Sequence, residues 1–264
     1  MAAAQPKLRL TRHMDMQTSS ASVQMRAPTS RFPATQDALE GLKILEPGDY
    51  DRYREALVGN KPMGWSYYFP FLLTQNREGR SAVLVDFDEG SVCLYHWRMR
   101  DGVPRLDIHN PPMPMNTAVL RRCFERANDF NANWSARLRR IDSADRKAIA
   151  GMSHVHVSEH KLQYLFAPEK YTELAGKELY TVRRNVKAVE KLADVDVRPF
   201  APSDAEACHE LLRRWRKVHR DAHGTAGGFG TSRRAIDLVG QLPEDVLRGE
   251  VVFVDGQLAG FAFG

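Results

Sequence analysis

Cysteine is scarce: there are three in 264 residues, Cys93, Cys123 and Cys208, far apart and odd in number. They form no C-x-x-C pair and no disulfide framework. That excludes a bridge-stapled secreted scaffold and points to a reducing compartment. No apolar run approaches the ~18 residues a membrane-spanning helix needs. No phosphate-binding loop or dinucleotide fingerprint is present, because the glycine-rich stretch at residues 224–230 follows a helical pattern rather than a strand and lacks a Lys-Ser/Thr pair. No internal repeat is found at the level of residues, so any duplication is expected in fold only.

What is present suits one or two ordinary domains with a real core: 43% of residues are hydrophobic and 27% charged. The 38 Lys and Arg against 33 Asp and Glu leave a net charge of +5. This moderate excess favours anionic partners such as tRNA or an anionic lipid surface, and also fits enzymes with neutral substrates. Residues 1–38 differ from the rest, being rich in Ser, Thr, Ala, Met and Gln with Arg9, Arg12, Arg26 and Arg31 and few acids. They read as a flexible tail. An organelle transit peptide is the alternative, and a secretory signal is excluded by the lack of an apolar core.

From residue 42 the pattern is mixed. Residues 42–45 read as a short strand, and Pro47-Gly48-Asp49 opens a helix over 50–57. Strands follow at 81–87 and 92–99, joined by Asp88-Glu89-Gly90, then at 105–108, ended by His109-Asn110-Pro111-Pro112. Asn116 or Thr117 caps a helix with Val119, Leu120, Cys123, Phe124 and Ala127 at helical spacing. Strands at 137–141, 154–157 and 162–166 surround a short helix after Asp142-Ser143. A helix over 172–192 is expected to bury Leu179, Val182, Val186, Val189 and Ala193 and to expose Tyr180, Arg184, Lys187 and Lys191. A strand at 196–200 leads to a helix opened by Pro202-Ser203-Asp204, with Ala205, Cys208, Leu211, Leu212, Trp215 and Val218 inward and Arg213, Arg216, Lys217 and Arg220 outward. A further helix reaches about residue 247, and 250–254 and 257–263 form a hairpin across Asp255-Gly256.

Several residue groups could carry chemistry. Arg184, Lys187 and Lys191 on one helix and Arg213, Arg216 and Lys217 on the next could neutralise phosphates together, or serve as ordinary solvated faces. The glycine-rich stretch precedes a helix opening with Ser232-Arg233-Arg234. It reads as a substrate-gating loop or a plain linker. His154 and His156 share a strand face near His160, and could act as zinc ligands or bases. Without a supporting cysteine or carboxylate pair, a structural role is the simpler reading, and no metal site is assigned. His109-Asn110-Pro111-Pro112 lacks the glycine turn that would let backbone approach a pyrophosphate. Tyr67, Tyr68, Phe69 and Phe71 are core aromatics or line a channel.

One stretch has a specific likeness. Tyr164, then Gly176, Lys177, Leu179, Arg184 and Asn185, then Phe200 and a helix to Trp215, and finally Leu258 to Gly264 (Leu-Ala-Gly-Phe-Ala-Phe-Gly) resemble the C-terminal domain of phosphatidylglycerol lysyltransferases. Ser66-Tyr67-Tyr68-Phe69 with Leu72-Leu73 resembles that family's earlier aromatic segment, so the likeness runs from Leu42 to Gly264. Two departures stand out: the family usually has a His and more Lys where Tyr180, Thr181 and Val182 stand, and its final strands and last helix are missing. The resemblance implies an α+β fold of two GNAT-like (acyl-CoA N-acyltransferase-like) halves, 39–170 and 171–264, the second incomplete at its C-terminus. It implies an acyl- or aminoacyltransferase moving an aminoacyl group from tRNA, or an acyl group from a thioester, to a lipid or amine, in the cytoplasm or peripherally at a membrane. No bound cofactor is expected. Substrate or anion binding is then assigned to Lys177, Arg184, Lys187, Lys191, Arg213, Arg216, Lys217, Arg233 and Arg234, with Tyr180 and His223 for proton transfer. A non-catalytic module that binds RNA or anionic membrane through its basic helices is the other reading.

Overall fold

Strand residues that alternate between two apolar faces organise the structure. A computed structural model describes residues 17–25, 36–58, 64–87, 90–132, 135–153, 155–164, 168–192, 194–224 and 228–264. The elements are β1 Gln17–Met25, β2 Lys43–Ile44, α1 Tyr50–Leu57, α2 Phe69–Leu73, β3 Ser81–Asp86, β4 Cys93–Arg100, β5 Val103–Ile108, α3 Thr117–Asn131, β6 Arg137–Ile141, α4 Ser143–Ala150, β7 Val155–Tyr164, α5 Pro168–Glu173, α6 Tyr180–Leu192, β8 Val195–Pro199, α7 Ala205–His223, α8 Phe229–Leu238, β9 Gly249–Val254 and β10 Gln257–Phe263. The fold is α+β. A seven-stranded sheet runs β2-β3-β4-β5-β6-β1-β7, and a three-stranded sheet runs β10-β9-β8.

The first sheet is mixed. β5 and β6 are parallel, joined by the α3 crossover, and their register holds one partner pair, Ile108 with Leu138. Along β3 and β4, Leu84 and Tyr95 face α3, where Leu120 and Phe124 are fully buried, while Val83, Val85 and Leu94 face Tyr53, Phe69 and Leu72 of α1 and α2. Each large apolar side chain so buried contributes about 1.5–3 kcal/mol. Asn116 starts α3 as its spacing predicts: Oδ1 accepts from the backbone N–H of Ala118 at 2.9 Å and Val119 at 3.2 Å.

The two sheets share one apolar cluster. Leu242, Val246 and Leu247, which follow α8, pack with Tyr53, Tyr67, Phe69 and Leu72. Tyr68 Oη donates to the Val246 carbonyl at 2.9 Å, and Arg234 Nε donates to the Thr74 carbonyl at the end of α2. Beneath α7 and α8, Cys208, Leu212, Ile236 and Val251 form the core of the second sheet.

A repeat at the level of residues does exist, contrary to expectation. Lys43-Ile44-Leu45-Glu46-Pro47-Gly48-Asp49 and Arg198-Pro199-Phe200-Ala201-Pro202-Ser203-Asp204 build the same device. In each, the aspartate carboxylate accepts from the backbone N–H three residues earlier, Glu46 at 3.0 Å and Ala201 at 2.8 Å, and pairs with the strand cation six residues earlier. That cation also lies over an aromatic ring, Lys43 over Phe87 and Arg198 over Phe253. Only the pattern K/R-x-x-x-P-x-D is shared, which is too sparse to stand out without the geometry.

Other expectations need correction. Gln17–Met25 falls in the expected tail but is a strand, antiparallel to both β6 and β7. The strands expected at 154–157 and 162–166 are one strand, β7. The helix expected over 172–192 is broken: Leu174 and Gly176 take positive φ, and Arg183 Nη1 reaches back to both their carbonyls. Of the face expected to be apolar, Leu179 just before α6 is buried, and Val182, Val186 and Val189 on α6 are exposed. Trp215 and Val218 on α7 are exposed too. The helix expected to reach 247 stops at Leu238, where Gly240 at φ 87° and then Pro243 turn the chain back to the core. His154, Asp88, Glu89, Leu165, Phe166, Ala193 and the loop residues Thr225, Ala226 and Gly227 lie outside the described residues, as do 1–16 and 26–35 of the expected tail.

Candidate anion-binding surface

Helices α7 and α8 lie side by side because Leu212 and Ile236 share one core. Their outer edges enclose a cavity of about 330 Å³ lined by Glu206, His209, Leu212, Arg213, Arg216, Phe229 and Arg233. Three of the basic residues singled out from sequence therefore converge: Arg213 and Arg216, nearly one turn apart on α7, and Arg233 from the first turns of α8. Phe229, four residues before Arg233, carries the Arg216 guanidinium over its ring at 4.4 Å.

The arginines differ in how far they are already neutralised. Arg213 is held by Glu206 at 2.9 Å and Glu210 at 2.8 Å. These hydrogen bonds raise the Arg213 pKa and lower that of Glu206. Among the described residues Arg216 and Arg233 have no carboxylate partner within ion-pair distance, and they are the cavity cations open to a ligand. His209 Nε2 lies 2.9 Å from Asp237 Oδ1, which fixes the ring across the α7–α8 groove. His209 and Asp237 escaped the sequence reading because nothing in a 28-residue separation marks them as neighbours.

The remaining expected site residues lie elsewhere. Lys177, Arg184, Lys187 and Lys191 are exposed on and before α6, and Lys217 is exposed on α7; none lines the cavity. Tyr180 opens α6 and is 60% exposed. His223 ends α7, exposed, with its ring 4.6 Å from that of His219, which in turn stacks on Trp215 at 4.8 Å. Arg234 points toward the first sheet rather than the cavity, through its bond to Thr74. Tyr67 and Phe69 are buried in the core, whereas Tyr68 is 39% exposed. Among the described residues no group of His, Cys, Asp and Glu is placed to hold a metal ion, and no helix is long and apolar enough to cross a membrane.

A second basic constellation sits on the first sheet, where β5 and β6 meet. His96 on β4 accepts from Arg139 Nη1 at 3.0 Å, and His109, just past β5, accepts from Arg140 Nη1 at 3.3 Å. The two rings stand edge to face, 5.8 Å apart. Burial, reinforced by the charges of Arg139, Arg98 and Arg140, lowers His96 to about 3, and burial first, then Arg140, holds His109 well below its usual value. Both rings are therefore neutral. Arg140 lies over Trp65 at 4.7 Å and Phe71 at 5.8 Å, and burial lowers it to about 10.

Comparison with known proteins gives a class and then a family. The fold is shared with the crystal structure of a conserved protein of unknown function from Bacteroides thetaiotaomicron VPI-5482, at TM-score 0.55 and 17% identity, covering 84% of this chain and 74% of that chain. No curated protein matches. Residues 108–264, more than half of the chain, match the family described as phosphatidylglycerol lysyltransferase, C-terminal. The chain belongs to that family. The match begins at the last residue of β5 and takes in α3, β6, the helix pair α7–α8 and both strands of the terminal hairpin.

Proposed function

We propose that the chain is part of a transferase that moves an aminoacyl group from tRNA to the hydroxyl of an anionic lipid, built from two GNAT-like halves. The single observation that carries this reading, beyond family membership, is the convergence of Arg213, Arg216 and Arg233 on one cavity beside the His209–Asp237 pair. The tandem architecture is supported by the repeated order of strand, Pro-x-Asp turn, two helices and antiparallel strands, which occurs from β2 to β4 and again from β8 to β10.

In the transfer, the lipid hydroxyl attacks the ester carbonyl, the tRNA terminal hydroxyl leaves, and one proton passes from the first oxygen to the second. Arg216 and Arg233 supply charge for a phosphate of either substrate. His209, oriented by Asp237, is the group at the cavity able to relay the proton; Tyr180 and His223 are the outlying alternatives. Much of the rate then comes from holding two substrates together. A peripheral, cytoplasmic-side location fits a lipid acceptor combined with a tRNA donor. The binding-module reading is favoured by the exposed Val182, Val186 and Val189 on α6, which carries Arg184, Lys187 and Lys191 as well.

The deciding experiment incubates the chain, and the gene product with any adjoining coding sequence, with radiolabelled aminoacyl-tRNA and phosphatidylglycerol vesicles, followed by lipid extraction. Label in the lipid that is lost in R216Q and R233Q supports the transferase. Vesicle or RNA binding with no transfer in either form supports the module.

A further inference from the structure

Away from the α7–α8 cavity, positive charge is packed into the first half with little to balance it. Arg98 on β4 and Arg139 on β6 share one carboxylate, Asp107 of β5, at 2.8 and 3.8 Å. Arg140 has a neutral imidazole and two aromatic rings as neighbours. Arg77 and Arg234 add two more cations, close to each other. A Cβ added at Gly230 would lie 3.3 Å from Arg77 Nη2 and 3.5 Å from Arg234 Nη2, so the two guanidinium groups meet there. Arg77 is also close enough to His96 to help disfavour its protonation. Asp107 is the only carboxylate in ion-pair contact with these five arginines among the described residues. The other buried carboxylates each pair with one cation among the described residues: Lys43 with Asp49 and Arg198 with Asp204.

Burying charge without a partner is costly, and enclosed N–H groups without acceptors add to the cost. Here Arg98 Nε and Arg234 Nη2 are enclosed and have no acceptor among the described residues. His109, 1% exposed, accepts at Nε2 from Arg140, so its proton is on Nδ1, which lies toward the Ser66 backbone without a well-formed hydrogen bond. By the same logic His96, which accepts at Nδ1, carries its proton on Nε2. The histidines thus act as neutral spacers between the arginines. They do not compensate charge. Arg98 of β4 and Arg139 and Arg140 of β6 gather around His96, near the one residue pair that joins β5 to β6, whereas Arg234 lies beside Arg77 and Thr74.

We infer that the Arg98–Arg139–Arg140 cluster, with His96 and His109, is a binding site for a phosphate group, separate from the α7–α8 cavity. A dianion matches the surplus of charge and gives the enclosed Arg98 Nε an acceptor, and guanidinium groups bind such oxygens in pairs. The exposed edge of Trp65, 46% exposed beside Arg140, is the approach. The site is built from side chains, which is why the absence of a glycine turn after β5 does not count against it. This inference does not rest on the transferase reading.

The test is calorimetric titration of the purified chain with sodium phosphate, against sodium chloride at equal ionic strength, with melting temperature and phosphorus NMR followed in parallel. The expected result is one saturable phosphate per chain. Its affinity should fall at least about tenfold in R140Q and in R139Q and stay unchanged in R216Q, where the other cavity is altered. Because the substitutions relieve like-charge crowding, the phosphate-free melting temperature of R139Q should hold or rise; a fold that merely needed Arg139 would lose it. Should R140Q fail to fold, R139Q and the NMR line width decide. Glycerol 3-phosphate as titrant separates the sources: tighter binding than inorganic phosphate assigns a phosphomonoester, and weaker binding assigns free phosphate. No saturable binding by the wild type, or equal binding by wild type and an R139Q/R140Q double variant, overturns the inference.

Discussion

Arg198 and Asp204 form a two-pronged pair, Nη1 to Oδ2 and Nη2 to Oδ1, both at 2.7 Å, and Asp204 Oδ2 also accepts from the Ala201 N–H. The same carboxylate thus ties the end of β8 to the start of α7, as Asp49 ties β2 to α1. Hydrogen bonding to Arg198 is the first cause that lowers the Asp204 pKa. Asp204→Ala should cost about 0.5–2 kcal/mol, the range for losing a helix-start cap. A carboxyl with a depressed folded pKa adds stability that is fully present above its unfolded value near 3.9 and is lost as pH falls through the folded value. Urea denaturation of D204A and D204N at neutral pH measures the cost. Unchanged midpoints would mean that the turn holds without the carboxylate.

Much of the fold was legible because its signals are local. Asn116 with the apolar spacing of α3, the Asp255-Gly256 turn and the Pro-x-Asp starts of α1 and α7 each identify an element by its own residues. β1 was not legible for the opposite reason. Gln17–Met25 is mostly small and polar, and what makes it a strand is pairing with β6 and β7 on either side. The valines of α6 misled, since periodicity reports an apolar face but not whether anything covers it. At the candidate site, Arg213, Arg216 and Arg233 were readable as basic residues opening or lining helices. The cluster of Arg98, Arg139, Arg140, His96 and His109 was not, because its members belong to β4, β6 and the end of β5, and only the sheet order assembles them.

The neutral histidines of that cluster give a pH signature. Unfolded histidines titrate near 6.5, whereas His96 is lowered to about 3 and His109 well below its usual value. Between those limits the unfolded chain binds protons that the folded chain does not. Stability should therefore fall as pH drops below about 6.5, by up to about 1.4 kcal/mol per pH unit for each histidine. The slope between about pH 7 and about pH 5 should shrink in H96Q. A flat profile, or NMR titration of either ring above about pH 5, would contradict the buried, cation-flanked geometry.

Gly249 should not tolerate a side chain. A Cβ there would sit 2.7 Å from Cδ1 and Cε1 of Phe263 and 2.8 Å from Cβ of Phe200. These rings pack edge to face, 5.5 Å apart, and the Gly249 carbonyl accepts from the Phe200 N–H at 2.9 Å. Gly249→Ala is expected to destabilise by about 1–3 kcal/mol through overpacking. Phe263→Leu in the same chain should recover part of that loss, a non-additive result that calorimetric melting of the two singles and the double can detect. Strict additivity would show that the backbone, not the ring, resists the methyl group.

The basic surfaces make the last test, and the geometry changes which residues to reverse. Arg213 was a natural choice from sequence, but it is held between Glu206 and Glu210, so reversing it would place three carboxylates together and disturb α7 itself. Arg233 and Arg184 have no such partners among the described residues and are exposed. Their joint reversal, R184E/R233E, should leave the melting temperature nearly unchanged, within about the shift expected for a surface change of ±0.5 kcal/mol. Binding of tRNA or of anionic vesicles should weaken, and the dependence of log affinity on log salt should become shallower by roughly one unit or more, because fewer counterions are released. Filter binding at two salt concentrations gives both quantities. If R184E/R233E binds as well as the wild type while R139Q/R140Q does not, the partner's phosphates engage the strand-end cluster and the helical faces are solvated surface.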